Sequence, residues 1–211
     1  PIFQDEELFI SKTVTSQGQI LGAIAGDNQA TAQRAARMVK VEYEEISPII
    51  VTIEDAIKHN SLFPNYPFYI IDGDVEAAFD KAENIVEGTV RTGGQDHFYL
   101  ETHVAIAIPN DGDELEIISS TQQAGDNQRQ ISTMLDIPQN KIVCRTKRLG
   151  GGFGGKETRS SLISLIVALA AHKLNRPVRI MFDRDEDMII TGGRNPFLIN
   201  YKVAFTNEGK I

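Results

Sequence analysis

A run of five glycines around one phenylalanine, at residues 150–155, restricts the fold of this chain more than any other feature. The run follows a predicted strand at residues 141–147 and precedes a predicted apolar helix that begins near Glu157. Glycine lets the backbone turn sharply and present consecutive N–H groups, and the N-terminus of a helix adds partial positive charge. The pattern predicts a loop that holds a phosphate or a metal-bound oxo group, although a crowded turn without a ligand fits the same residues.

The glycine spacing also resembles a dinucleotide-binding motif. Gly150, Gly152 and Gly155 satisfy G-x-G-x-x-G. The preceding strand, however, contains Arg145 and Lys147, whereas the strand before a dinucleotide-binding loop is a nearly continuous apolar run. A Rossmann site is therefore disfavoured.

The same stretch also resembles a P-loop, because Gly150, Gly155 and Lys156 have the spacing of that motif. Glu157 replaces the serine or threonine that would bind magnesium, and its carboxylate would repel phosphates, which argues against an ATPase. What remains is a loop of backbone donors with Phe153 and one carboxylate. That combination suits an aromatic, hydrogen-bonding heterocycle beside an anionic cofactor.

The overall composition narrows the class of partner. The chain has 211 residues, enough for one large or two small domains, and a formal net charge of −8. An acidic excess argues against nucleic acid and anionic membranes, so we expect a small molecule or another protein segment as partner. The single cysteine, Cys144, excludes a disulfide or thiolate-bound cluster within the chain and is typical of a reducing compartment. Residues 1–4 carry no signal-peptide pattern, so we expect the sequence to begin inside a longer protein.

Hydrophobic periodicity predicts a small α+β unit at the start of the chain. Strands are expected at residues 19–26 and 39–43. Helices are expected at residues 30–39 and 52–58, and a further short helix is expected at residues 72–82, after this unit.

The rest of the sequence predicts an α+β or mixed α/β fold. Three strands are expected as neighbours in one sheet, at residues 85–92, 97–108 and 115–120. A polar helix at residues 125–135 follows, and residues 162–171 predict a buried helix too short to cross a bilayer. The last strand, at residues 198–205, has no strand after its turn, which predicts a missing hairpin partner.

Four stretches of the chain resemble the xanthine dehydrogenase/oxidase family of molybdenum hydroxylases. GGGFGGKETR, at residues 150–159, resembles the molybdenum-domain loop of that family. Residues 93–101, 120–122 and 183–193 are similar to further family stretches in the same order. Because the similarity covers nearly the whole chain, the sequence is identified as an internal segment of this family.

The resemblance implies domains, cofactors and a reaction. Residues 1–66 are expected to be part of an α+β hammerhead domain, and residues 67–211 the first part of a molybdopterin-binding domain with a mixed sheet. Molybdenum–molybdopterin is implied for this region, with FAD and 2Fe-2S clusters elsewhere in the intact protein. The implied reaction hydroxylates hypoxanthine and xanthine to urate, and its electrons pass through the clusters and FAD to NAD or oxygen.

The resemblance also implies residue roles. Gln122 is expected to hydrogen-bond an oxygen ligand of molybdenum, and the backbone at Phe153, between Gly152 and Gly154, to approach the metal centre. Glu157 is expected to hydrogen-bond the purine, since the similar aldehyde oxidases usually lack an acidic residue there. The family's glutamate base and substrate-pairing arginine are expected downstream, so this segment alone is expected to be inactive.

Three further implications concern the whole protein and its alternatives. An intact homodimer is implied, with this segment held against the rest of the same polypeptide. Its location is expected to be cytoplasmic, with the peroxisome as the alternative. An aldehyde oxidase-type hydroxylase and a non-catalytic binding module that keeps the loop remain the alternative functions.

Several polar residues also have structural interpretations. Without the resemblance, Gln122 is an ordinary polar residue at a strand end. His97 and His103 share one face of a predicted strand, but no third ligand stands at zinc spacing, so they are expected to be packing or rim residues. Cys144 is expected to be a small buried hydrophobe, and residues 183–187 a solvated turn or helix cap instead of a cation site.

Overall fold

Two units make up the part of the chain that the computed structural model describes, which is residues 6–64 and 67–211. The first unit combines residues up to 41 with residues 96–193, and the second combines residues 42–95 with residues 194–211. Residues 1–4 and residue 66, at the predicted domain boundary, lie outside the described part. The boundary at residues 66 and 67 therefore stays a prediction.

The secondary structure of the two units is mixed. The helices are α1 (Gln29–Arg37), α2 (Ile53–Lys58), α3 (Val75–Asp80), α4 (Ala124–Leu135), α5 (Ser160–Leu174) and α6 (Arg184–Thr191). The strands are β1 (Asn84–Thr92), β2 (Val104–Asn110), β3 (Glu114–Ser119), β4 (Ile142–Arg145), β5 (Val178–Met181) and β6 (Phe197–Phe205). The predicted α+β fold class is confirmed.

A four-stranded mixed sheet forms the centre of the first unit. Its order is β4-β3-β2-β5, with β2 antiparallel to β3 and β5, and β3 parallel to β4. Along β3, Leu115, Ile117 and Ser119 are buried while the residues between them are more exposed, which is the period of two expected for a strand. The end of β3 leads directly into the polar residues of the candidate site.

Helix α5 packs on this sheet and supplies more of the buried apolar cluster than any other element. Its residues from Ser160 to Ala168 are buried, as expected for a helix that is apolar all round, so the predicted buried helix is confirmed. Ala105 and Ala107 of β2 belong to the same buried cluster, and their small side chains leave room for the helix. Each isoleucine or valine buried here contributes about 1.5–3 kcal/mol relative to exposure. None of the helices in the two described ranges is long and apolar enough to cross a membrane.

The second unit contains the antiparallel pair β1 and β6. The register runs from Asn84 opposite Phe205 to Thr92 opposite Phe197. One prediction was wrong here: residues 85–92 do not join the sheet of the strands that follow them. A hairpin partner after the turn that follows β6 stays a prediction, and the partner that β6 has among the described residues is β1. That partner lies 121 residues earlier in the chain, so the turn after β6 carries no information about it.

The predicted helices are present with small shifts at their ends. Asn28, Thr52 and Asp74 each accept a hydrogen bond from a backbone N–H in the first turn of α1, α2 and α3, respectively. Such side-chain caps satisfy donors that the helix itself leaves without a partner.

Three predicted strand segments were wrong. Residues 19–26 and 39–43 form no strand, and residues 97–103 form a loop before β2. Alternating apolar residues become a strand only where an edge is available for pairing. Most of the first two segments is exposed, and in the third the backbone N–H of His103 donates to the carboxylate of Asp187 instead of to a strand.

Candidate functional site

Residues 150–157, named here the glycine loop, follow β4 and precede α5. Gly151 and Gly154 both have a φ of 93°, a backbone conformation that favours glycine. Phe153 has a φ of 53°, which costs a residue with a side chain about 1–2 kcal/mol. Because Phe153 is 74% exposed, packing of its ring within this chain does not offset that strain. A strained and exposed aromatic residue is a feature of ligand sites.

Gln122 is joined to the glycine loop at three points. Its Oε1 accepts hydrogen bonds from the backbone N–H groups of Gly154 (3.1 Å) and Lys156 (3.2 Å), and its own backbone N–H donates to Lys156 O (2.9 Å). Since both partners of Oε1 are donors, the oxygen of the side-chain amide must face the loop and Nε2 must face away from it. Gln122 is exposed, so the amide nitrogen is available to a ligand.

Three glycines of the loop leave no space for a side chain, and the first is Gly150, where a Cβ would lie 2.4 Å from the Cβ of Glu101. The other two are Gly152 and Gly155. A Cβ on Gly152 would lie 2.5 Å from Gln122 Oε1, and a Cβ on Gly155 would lie 2.6 Å from the ring of Tyr99. Both distances are far below van der Waals contact, so the close approach of Gln122 and Tyr99 to the loop requires glycine at both positions.

Three backbone amides of the loop remain unused. The N–H groups of Gly151, Gly152 and Phe153 find no acceptor among the residues described, whereas those of Gly150 and Gly154 are paired with side chains. Consecutive backbone N–H groups in a turn make a concavity that attracts anions. The loop therefore has donors for the kind of ligand that its glycines predicted.

A lysine is buried beneath the loop. Lys156 is 0% exposed, and its Nζ donates to Glu101 Oε2 (2.9 Å) and to Ser120 Oγ (2.9 Å). The ammonium group also lies 4.8 Å from the centre of the Tyr99 ring, within the range of a cation–π contact. Without such partners a buried ammonium would be very unfavourable.

The carboxylate of Glu101 completes this group. Burial would raise the pKa of Glu101, but hydrogen bonds from Ser120, Lys156 and the backbone of Gly150 outweigh burial and lower the pKa below its ordinary value. Glu101 is thus held as an ion beside a buried cation. Glu101 and Ser120 were not predicted as functional candidates, and Lys156 was considered only for a P-loop. No local sequence pattern indicates the contact between Glu101 and Lys156, which are 55 residues apart.

Helix α5 begins later than predicted. Its first residue is Ser160, whereas the sequence predicted a start near Glu157. The carbonyl of Lys156, which a helix would use for its own first turn, accepts instead from the backbone of Gln122 and from Ser160 Oγ (2.9 Å). The end of the glycine loop is therefore tied to the residues that follow β3 and to a side chain of α5, and not to the helical backbone.

The predicted site residues lie at one place in the first unit. The structure brings Gln122, Gly152 and Gly154 into contact, with Phe153 exposed between the two glycines. Glu157 is exposed on the same loop, and its backbone N–H donates to Gly154 O (3.3 Å). The carboxylate of Glu157 has no hydrogen bond to any described residue, and its role toward a purine stays a prediction.

A buried polar cluster adjoins the loop through Tyr99. Asp187 is 1% exposed, and it accepts hydrogen bonds from Tyr99 Oη (2.6 Å) and from the backbone N–H of His103 (2.5 Å), with His103 Nδ1 at 3.0 Å. Burial alone would raise the pKa of Asp187, but the hydrogen bonds from His103 and Tyr99 lower it to about 2. Burial and the neighbouring Asp187 raise the pKa of Tyr99 far above its ordinary value.

Contrary to the sequence prediction, the two histidines do not share one face of a strand. His97 and His103 lie on a loop instead of one strand face, with His97 stacked on Tyr99 at 6.4 Å and His103 in the buried cluster. Asp183 caps α6, as expected, but Asp187 is buried and not solvated. Across residues 6–64 and 67–211, no three metal-ligating side chains lie together.

Cys144 packs against the apolar core as a partly buried residue. Burial raises the pKa of its thiol to about 12, so the group stays protonated at neutral pH. Cys144 therefore acts as a small hydrophobe and offers no thiolate to a metal.

Two family models together match most of the chain. Residues 55–211 match the molybdopterin cofactor-binding domain, and residues 1–47 match the a/b hammerhead domain of aldehyde oxidase and xanthine dehydrogenase. The chain belongs to the molybdopterin cofactor-binding family, in the group of molybdenum hydroxylases that contains these two kinds of enzyme. The predicted identity of the region and its molybdopterin cofactor are confirmed.

Within that family, the chain is similar to xanthine dehydrogenases along its full length. It is 58% identical to the xanthine dehydrogenase of Drosophila pseudoobscura pseudoobscura and 54% identical to the xanthine dehydrogenase/oxidase of Mus musculus, in each case over 100% of this chain and 16% of the relative. The chain thus spans only a small part of the length of these relatives.

Solved structures share the fold. Aldehyde oxidoreductase from Desulfovibrio gigas aligns with a TM-score of 0.71 and 27% identity, over 86% of this chain and 21% of that one. Quinoline 2-oxidoreductase from Pseudomonas putida 86 aligns with a TM-score of 0.70 and 25% identity, over 85% of this chain and 24% of that one.

Proposed function

We propose that this chain forms one wall of the molybdenum–molybdopterin site of a xanthine dehydrogenase-type enzyme that hydroxylates hypoxanthine and xanthine to urate. One observation carries the proposal: the backbone of the glycine loop turns the Gln122 amide so that Nε2 faces away from the loop. This nitrogen and the backbone N–H groups of residues 151–153 supply donors for an oxygen-rich anion. Such local donors are needed in a chain with a net charge of −8.

The residues of the loop fit the proposed cofactor. Gln122 donates from Nε2, and the absence of a side chain at Gly152 leaves room for its carboxamide. Gly154 donates its backbone N–H to Gln122 Oε1. The exposed ring of Phe153 offers an apolar surface and its backbone lies next to these glycines. When bound, molybdenum supplies the two-electron oxidation of the substrate. The residues of this chain would bind the cofactor, orient it toward the substrate and exclude water from the site.

Glu157 is the proposed purine contact. A carboxylate accepts hydrogen bonds from the ring N–H groups of a purine, whereas an aldehyde offers no such donor. The exposed position of Glu157 on the glycine loop is compatible with this role. Aldehyde oxidation is the alternative, supported by the likeness to an aldehyde oxidoreductase.

Other parts of the longer protein are proposed to complete the reaction. Electrons would leave through 2Fe-2S clusters and FAD to NAD or oxygen. The clusters need cysteine ligands that this chain, with only Cys144, does not contain. A homodimer in the cytoplasm, or in the peroxisome, is proposed from the same family resemblance.

The proposal is tested on the full-length protein. It is produced in cells with intact molybdenum cofactor synthesis, its molybdenum content is measured by mass spectrometry, and urate formation from xanthine is followed. Stoichiometric molybdenum with urate formation supports the proposal. Protein without molybdenum overturns it, and molybdenum with aldehyde but no purine turnover favours the alternative.

A further inference from the structure

One carboxylate oxygen, Glu101 Oε2, gathers the two ends of the glycine loop. It accepts from Gly150 N (2.8 Å) at the start of the loop and from Lys156 Nζ (2.9 Å) near its end. The backbone N–H of Glu101 donates in turn to Gly150 O (3.1 Å). A single side chain thereby links the two ends of the loop.

Lys156 connects this link to Gln122. Its ammonium group is buried against Glu101, Ser120 and Tyr99, while its backbone N–H and C=O are both bonded to Gln122. A shift of the Lys156 side chain would therefore shift the backbone groups that orient the Gln122 amide. The close fit of Gly152 against Gln122 Oε1 leaves little tolerance for such a shift.

The surroundings make this arrangement more than a surface ion pair. The Lys156 side chain is 0% exposed and that of Glu101 is 31% exposed, so water screens the pair poorly. An exposed pair in the same unit, Arg145 with Glu116 at 2.9 Å, has side chains that are 61% and 29% exposed. Pairs of that kind contribute little to structure or stability.

We propose that Glu101, Ser120 and Lys156 form a positioning clamp, which sets the glycine loop so that the Gln122 amide nitrogen faces the cofactor. The clamp residues do not touch the cofactor and act through the backbone at positions 150 and 156. That the ligand of Gln122 is the molybdenum cofactor rests on the proposed function, whereas the contacts of the clamp do not. Residues that orient the direct contacts of a metal site typically change its affinity or activity by roughly tenfold to a hundredfold.

The experiment compares variants of the full-length protein. Glu101→Gln keeps the size and one acceptor but loses the charge, Lys156→Met removes the ammonium, and the double variant removes both charges. Arg145→Met serves as the matched control, since it removes a cation from an exposed pair in the same unit. Thermal unfolding, molybdenum content, kcat and KM for xanthine, and a crystal structure of Glu101→Gln are measured.

The clamp predicts that Glu101→Gln lowers molybdenum content or kcat at least about tenfold with little change in KM. In its crystal structure the distance from Gly154 N to Gln122 Oε1 should exceed the hydrogen-bond limit of about 3.5 Å. In the double variant stability should partly recover, because no buried charge is left alone, while molybdenum content or kcat stays low. Arg145→Met should behave like the wild type.

The clamp is overturned if activity and molybdenum content recover together with stability in the double variant, since the pair would then be structural only. An unchanged Gln122 in the Glu101→Gln structure also overturns it, and this outcome does not depend on turnover. A wild-type protein without molybdenum would instead contradict the proposed function, and the crystallographic distance would still test the clamp. If Lys156→Met fails to fold, Glu101→Gln alone decides.

Discussion

Gly152 shows how a single residue sets the chemistry of the loop. A methyl group at this position would enter the space occupied by the Gln122 carboxamide, at 2.5 Å from Oε1. The side chain of Gln122 can escape only by leaving the two backbone donors that orient it.

We expect Gly152→Ala to lower kcat for xanthine in the full-length protein by at least about tenfold, because the oriented amide is lost. Steady-state kinetics with molybdenum analysis measure the effect. Gly125→Ala is the control, since a Cβ there meets nothing within 4 Å and alanine in α4 should stabilise the helix by about 0.5–1 kcal/mol. Similar activity of the two variants would contradict the role of Gly152.

Glu157 offers a test of substrate class. We expect Glu157→Val to reduce kcat/KM for xanthine more than for an aromatic aldehyde, because only the purine loses a charged hydrogen-bond partner. The difference should be about tenfold or more, corresponding to a hydrogen bond to a charged group. Glu208→Val, in the turn after β6, should change neither rate. Equal losses on both substrates would remove Glu157 from the substrate contacts.

At the level of elements, helix α6 is attached to the loop before β2 through the ionised side chain of Asp187. The pKa of this group falls from an ordinary value of 3.8 to about 2 in the folded chain. A lowered pKa means that the stabilisation is fully present above pH 4 and is lost as the pH falls toward 2. A shift of this size corresponds to about 2 kcal/mol.

We therefore expect the thermal midpoint of Asp187→Asn to lie below that of the wild type at neutral pH, and the gap to narrow between pH 4 and pH 2. Calorimetry of both proteins across this range provides the measurement. Asp126→Asn, which removes an exposed i,i+3 partner of Arg129, should cause a small shift at every pH. A gap that stays constant down to pH 2 would show that the charge of Asp187 is not what stabilises α6.

Elements with strong local patterns were predicted well from the sequence. The buried helix α5, the capped helices and the strand β3 depend on periodicity and caps that lie within a few residues. The pairing of β1 with β6 and the start of α5 could not be predicted, because each depends on a partner distant in sequence. Residues 19–26 have the composition of a strand but lack an edge on which to pair.

The candidate site divides in the same way. The glycine loop was predicted from the pattern of its glycines, and the role of Gln122 was predicted from the resemblance to the family. Glu101 and Ser120 became visible only when the fold brought them to Lys156. A single buried lysine in a polar segment carries no sequence signal, since most lysines are exposed.

On the scale of the whole molecule, the second unit exposes a continuous apolar run. Phe68, Tyr69, Ile70 and Ile71 are each at least 72% exposed. Contiguous apolar surface of this kind is usually covered by another protein segment. Since the chain spans 16% of its Drosophila relative, we expect the rest of the polypeptide to cover this run.

We expect Ile70→Gln to destabilise the full-length protein by about 2 kcal/mol, because a covered isoleucine would be replaced by a polar group. Leu174→Gln, at the end of α5, is the control, as Leu174 is 51% exposed and not part of such a run. Thermal unfolding compares the two variants. Equal small effects would mean that the run faces solvent in the longer protein as well.

The hydrogen bonds from two main-chain donors to Gln122 Oε1 have a consequence for the kind of ligand that the site can bind. Two backbone N–H groups set the orientation of this carboxamide, and no side-chain substitution turns these donors into acceptors. The site therefore selects ligands that accept hydrogen bonds and disfavours ligands that donate them. A glutamate at position 122 could satisfy the same two peptides, yet it would turn a second lone-pair oxygen outward and reverse that preference without altering the fold.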